Sequence, residues 1–127
     1  MLDACTWLEH ASGGAFTVHP PERPGTIDPA GYVKGWATER ASRLLTEAGL
    51  VDWYLSVGGD LQAHGHPRDT DRWVFAVAHP LRPGEVVATL AVDDAAVATS
   101  GTAERGRHLW DGRTGERATG LASVTVT

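Results

Sequence analysis

One cysteine, Cys5, is all the thiol this chain of 127 residues carries. That excludes an intramolecular disulfide and a zinc framework of paired cysteines. No apolar run approaches the roughly 20 residues that span a bilayer. The N-terminus has no basic stretch ahead of an apolar one, so no secretory leader is read there. Positive charge is also short: 11 Lys and Arg face 16 Asp and Glu, a formal charge of -5. Nucleic-acid-binding domains usually show a basic face, so that class is set aside. An anionic small molecule is not, because the local placement of a few cations outweighs net charge at short range. The five tryptophans read as packing rather than as a platform for stacked bases. Repeats and low-complexity tracts are absent. As written the chain is expected to be cytoplasmic, or a piece of something larger whose parent could be membrane-anchored or periplasmic.

What is present suits a globular domain: 42% hydrophobic and 21% charged residues, in one domain spanning residues 1–127. Leu2, Cys5, Leu8 and Ala11 recur at helical spacing, with Cys5 as a small buried apolar residue and Ser12-Gly13-Gly14 as the stop. Ala15–Val18 reads as a short strand or extended arm, and Pro20, Pro21 and Pro24 impose an irregular connection. The clearest helix runs from Pro29 to Ala48, with Asp28 as N-cap and Pro29 in the first helical position. Its expected buried stripe is Val33, Ala37, Ala41, Leu44, Leu45 and Ala48. Strands are predicted at Trp53–Val57, Asp60–Ala63, Trp73–Ala78, Val86–Ala91 and Ala95–Ala98, with a last one around Val124 and Val126. Two main helices and sequential strands without regular alternation predict an α+β fold with a largely antiparallel sheet.

Chemistry concentrates in three stretches. From Thr99 to Gly115, backbone N–H groups left free by Ser100-Gly101-Thr102, with Arg105, Arg107 and His108 close in sequence, could hold a phosphate. The same stretch also reads as a polar hairpin turning at Asp111-Gly112 and Thr114-Gly115. Lys34 lies early in the second helix, where the positive helix end favours anions. Gly31 and Gly35 beside it each weaken the helix by roughly 1 kcal/mol, as expected where another backbone or a ligand comes close. Gly58-Gly59-Asp60 offers bare backbone and a carboxylate to a nucleotide, or a bulge capped by Asp60. His64-Gly65-His66 lacks a nearby third donor and reads as solvated loop histidines. Asp93-Asp94 reads as a turn, although carboxylates can hold magnesium.

Taken in order, these stretches resemble the ApbE flavin transferases (FAD:protein FMN transferases). That family shows Asp-x-x-Gly-x-x-Lys-Gly, here Asp28 to Gly35, and Asn-x-Gly-Gly-Asp, here Ser56 to Asp60. It shows Ala-Thr-Ser-Gly-x-x-x-Arg, here Ala98 to Arg105, then His-Ile/Leu-x-Asp-Pro-x-Thr-Gly, here His108 to Gly115. Ser12 to Thr17 looks like its Ser-x-Gly-Ala-Phe-Asp. The resemblance implies FAD binding and magnesium-dependent transfer of FMN to a threonine or serine hydroxyl of a target flavoprotein, with release of AMP. It implies a flavin-nucleotide site made by Gly14, Ala15, Phe16, Lys34, Gly58, Gly59, Asp60, Ser100, Gly101, Thr102, Arg105, His108 and Leu109. His108 would contact the flavin end or assist proton removal, and the carbonyl of Val33 would be a metal ligand. Four positions depart from the pattern: Thr17 for aspartate, Ser56 for asparagine, Ala103 for tyrosine and Gly112 for proline. The family continues to an Ala-Asp-x-x-Ala-Thr segment whose Asp and Thr bind magnesium, and this sequence ends at Thr127 before it. The expectation is therefore a partial domain with impaired transfer. The alternatives are a non-catalytic flavin-binding or interaction module, or an FAD pyrophosphatase. Exposed strand edges would favour a homodimer.

Overall fold

The computed structural model describes residues 1–102 and 108–127. Helix α1 is Leu2–Ala11 and helix α2 Ala30–Glu47. The strands are β1 Trp53–Val57, β2 Asp60–His64, β3 Trp73–Ala78, β4 Val86–Val92, β5 Ala95–Gly101, β6 Trp110–Asp111, β7 Glu116–Arg117 and β8 Ser123–Val126. All the described strand pairs are antiparallel. A four-stranded sheet runs β1-β2-β5-β8, beside the two-stranded ribbons β3-β4 and β6-β7. The fold is α+β, as the pattern of elements predicts.

The register sorts the side chains because successive residues of a strand point to opposite faces. Trp53 lies opposite His64, and Leu55 opposite Gln62, on the face that α2 covers. Tyr54, Leu61, Ala63, Ala95 and Val97 fall on the other face. There Ala63, Val92 and Val97 form a buried cluster with Leu61, Trp73, Phe75, Leu90 and Ala95, closing the β3-β4 ribbon onto the sheet. The Tyr54 ring meets Trp73 and Phe75 edge-on, at centroid distances of 5.2 and 5.7 Å, a geometry aromatic quadrupoles favour. Cys5 is buried, as its helical position predicts.

Three expectations are corrected. The face that α2 buries centres on Thr38 and Ser42, with Val33, Ala41 and Leu45 of the expected stripe half-buried, while Ala37, Leu44 (65%) and Ala48 are exposed. Each hydroxyl donates back into its own helix, Thr38 Oγ1 to the Lys34 carbonyl at 2.9 Å and Ser42 Oγ to the Glu39 carbonyl at 2.8 Å. Satisfied in this way, small polar side chains can be buried against a sheet. Of the two forms read for Ala15–Val18, the arm is the one present. Thr99, Ser100 and Gly101 do not open into a loop: they continue β5 and pair with Thr125, Val124 and Ser123. The start of α2 also shifts by one residue, with Pro29 at the N-cap and the Asp28 carboxylate accepting from the Ala30 N–H at 3.0 Å.

Candidate functional site

The site is built where the ends of three elements meet. β1 and β2 are joined by Gly58-Gly59, at φ +55 and +87, a left-handed pair that glycine adopts without penalty. The turn delivers Asp60 to the first position of β2, beside α2. Lys34, the only lysine of the chain, reaches across so that its Nζ lies 2.7 Å from Asp60 Oδ2. The same ammonium donates to the Gly58 carbonyl at 3.3 Å. The β2-β5 ladder stops at Leu61 opposite Val97. Beyond it the Asp60 side chain substitutes for the missing strand, Oδ1 accepting the Thr99 N–H at 3.2 Å. Lys34, Gly58, Asp60 and Thr99, up to 65 positions apart in sequence, thus form one hydrogen-bonded cluster.

A second set of contacts brings in the Gly14–Phe16 arm. A Cβ on Gly31 would lie 3.3 Å from the Phe16 ring, so the bare position lets the ring rest close against the first turn of α2. On the arm's other side the Gly112 N–H donates to the Ala15 carbonyl at 3.0 Å, and Gly14 faces the Arg113 side chain. Gly112 sits in the β6-β7 hairpin, which is the turn read at Asp111-Gly112. Sequence reasoning passed over two backbone groups here, the amides of Thr99 and Gly112. For Gly112 there was a signal: it stands where the pattern of the resemblance has proline, which has no N–H to give.

Asp111 anchors the hairpin. It accepts from Arg113 Nε at 2.8 Å, from Nη2 at 2.6 Å and from the Arg113 backbone N–H at 3.0 Å. The guanidinium bonds first, then the amide, hold its carboxyl down at about 2, against an ordinary 3.8. A folded-state pKa below the unfolded value gives stability that is complete above the unfolded pKa and disappears as pH falls through the folded one. The melting-temperature advantage of wild type over Asp111→Asn should therefore be constant above about pH 5 and shrink toward zero near pH 2. Thermal scans at stepped pH check it, and a difference unchanged by acid would contradict the assigned pair.

Of the other site residues, Ser100, Gly101 and Thr102 lie on or just after β5, and the Thr102 N–H is taken by the Ala122 carbonyl at 3.1 Å. The amides expected to be free are thus partly engaged. His108 is exposed just ahead of β6, and Leu109 accepts from the Ala118 N–H at 2.9 Å. Arg105 and Arg107 lie outside the described residues. Val33 is in the second turn of α2.

His64 and His66 are not simply solvated. His64 ends β2 with Nδ1 2.6 Å from Asp94 Oδ1, which also accepts the Gly65 N–H at 2.8 Å. The Gly65 amide first, then His64, hold the Asp94 carboxyl below the usual range, while the Pro67 carbonyl and then Asp52 push His66 up. Two open clefts, of about 470 and 570 Å³, lie away from the Lys34 cluster, one between α2 and β1, β2 and β5, the other beside the Tyr54–Trp73 aromatics. Among the described residues no group of three or more His, Cys, Asp or Glu side chains is placed to hold a metal ion. Asp60, with its oxygens partnered by Lys34 and the Thr99 N–H, belongs to no such group. No helix among the described residues is long and apolar enough to cross a membrane.

The fold is shared with flavin transferases. The flavin transferase ApbE of Vibrio cholerae aligns with a TM-score of 0.77 over 98% of this chain and 57% of its own, at 20% identity, a likeness of fold alone. The ApbE protein of Thermotoga maritima gives a TM-score of 0.70 at 32% identity, covering 79% of this chain and 35% of that one. The model of the ApbE family matches residues 2–127, and the chain belongs to that family. A relative from Rhodobacter capsulatus is 33% identical over 108 residues, 79% of this chain and 20% of the relative. One from Buchnera aphidicola is 30% identical over 102 residues, 73% of this chain and 30% of the relative. Both are FAD:protein FMN transferases by name, and this chain spans less than a third of either.

Proposed function

We propose that this chain is the central portion of an FAD:protein FMN transferase domain and forms part of its FAD site. The supporting observation is the meeting of Lys34, the Gly58-Gly59-Asp60 turn and β5 at Thr99. It sets a cation and bare backbone at the positive end of a helix, the surroundings a diphosphate requires. In this reading Lys34 and Arg105 face the phosphates, and Ser100, Gly101 and Thr102 border them from β5 and its end. Gly14, Ala15 and Phe16 line the flavin or adenine end with Gly58, Gly59 and Asp60, and His108 and Leu109 border the flavin. The acceptor is a threonine or serine hydroxyl of a target flavoprotein. Its oxygen bonds to the phosphorus of the FMN half, the bond from that phosphorus to the bridging oxygen breaks, and AMP leaves. His108 is the side chain proposed to take the hydroxyl proton.

The magnesium implied by the resemblance does not fit the described side chains, and Val33 offers it only a carbonyl. No step is routed through it. A second reading is a module that binds FAD without transferring FMN. Both readings predict that FAD binds the wild-type chain and that Lys34→Ala and Arg105→Ala each weaken it about tenfold, the scale of one charged hydrogen bond. Flavin fluorescence titration measures this, and unchanged affinity in both variants removes the phosphate assignment. Adding magnesium and an acceptor flavoprotein separates the readings: protein-linked FMN supports transfer, free FMN a pyrophosphatase, and intact FAD the binding module. Self-association is proposed through β8, an edge of the sheet with Val124 and Val126 at 45% and 58% exposure.

A further inference from the structure

We infer that Asp60 is a positioning residue: it holds the Lys34 ammonium over the Gly58-Gly59 turn and fixes the backbone of β5 at Thr99, and it does not itself bind the nucleotide. The inference rests on the FAD reading of this site. Each carboxylate oxygen already has a protein partner, Lys34 for Oδ2 at 2.7 Å and the Thr99 N–H for Oδ1 at 3.2 Å. The side chain is 19% exposed, against 38% for Lys34, so of the two it is the lysine that offers more surface to a ligand. A carboxylate is also the wrong partner for a diphosphate, since like charges repel. A lysine stem is flexible, and a long side chain loses entropy when it is fixed in one geometry. Here that fixing is done before any ligand arrives, by Asp60 on one side and the Gly58 carbonyl, at 3.3 Å, on the other. An anion then meets a cation already in place, the arrangement that limits the cost of binding.

Two effects of Asp60→Asn on an anionic ligand oppose each other, which makes the sign of the result decisive. Removing a negative charge beside the phosphates favours FAD. Releasing Lys34 disfavours it, while the amide oxygen of asparagine can still accept from Thr99. Positioning predicts that the second effect prevails, with FAD bound about fivefold more weakly than by wild type. Affinity equal to or tighter than that of wild type overturns the inference and leaves Asp60 as a competitor for Lys34.

A readout independent of FAD comes from Lys34 being the only lysine, which leaves Nζ and the terminal amine as the two amines of the chain. An ammonium donating to a carboxylate and a carbonyl must leave both before its nitrogen can attack an acylating reagent. Acetylation by a succinimidyl ester, followed by mass spectrometry with the terminal amine as internal standard, should run about fivefold faster at Lys34 in Asp60→Asn. An unchanged relative rate shows that Asp60 does not hold Lys34 in solution. A wild-type chain that binds no FAD overturns the underlying reading of the site, and the acetylation comparison still decides by itself whether the carboxylate holds the lysine.

Discussion

Gly112→Ala should lower the melting temperature by about 10 °C, the consequence of about 3 kcal/mol of forced overpacking in a chain of this size. The added Cβ would lie 2.3 Å from the Gly14 carbonyl oxygen, with Thr17 Cγ2 at 3.0 Å and the Ala15 carbonyl oxygen at 3.1 Å. Two of the three neighbours are backbone, which cannot swing aside as a side-chain tip can, so the arm and the hairpin have to part. Gly112→Pro should be at least as damaging, because it also removes the N–H given to Ala15. Since the displaced segment is Gly14–Phe16, the alanine variant should also bind FAD more weakly than wild type at a temperature where both are folded. Gly35→Ala serves as the control. Nothing lies within 4 Å of a Cβ there, and helix propensity favours alanine by roughly 1 kcal/mol. A Gly112→Ala variant that melts with wild type would show that the arm does not rest on this hairpin.

Gly65→Ala should have an effect of similar size by a different route. Gly65 has φ +63, and a Cβ would lie 2.3 Å from both Asp52 Oδ1 and the Val51 carbonyl oxygen. Left-handed backbone costs an L-residue roughly 1–2 kcal/mol before any clash is added. The clash also strikes the carboxylate that accepts the His66 N–H at 3.0 Å, so the whole His64–His66 turn loosens from Asp52 and Asp94. A total of about 3 kcal/mol or more is a large share of the stability of any small domain. Urea unfolding should show an earlier midpoint with an unchanged slope. Because this turn lies outside the Lys34 cluster, FAD affinity at low temperature should stay near that of wild type. A Gly65→Ala midpoint equal to wild type would contradict the described turn.

Much of the fold is legible before any coordinates. Apolar periodicity and Pro29 mark α2, and branched and aromatic runs mark β1, β3 and β4, because those preferences act within a few residues of themselves. The glycines of the candidate site are legible for the same reason: Gly58-Gly59 marks a break after β1 and permits the left-handed turn found there. What fails is what depends on the neighbour. Thr38 and Ser42 look like a polar face until their hydroxyls are seen closing onto their own helix. Ser100 and Gly101 look like an open phosphate loop until β8 arrives beside them.

By itself the sequence determined the kind and order of the elements, the family, and the supply of cation, glycines and carboxylate to the candidate site, since residue chemistry and short-range backbone preference travel with the chain. Tertiary structure alone decided that Asp60 turns to Lys34 and Thr99, that Gly112 holds the Gly14–Phe16 arm, and that α2 buries hydroxyls. Those outcomes are hydrogen bonds and contacts between groups distant along the chain, and packing determines which of them come within reach.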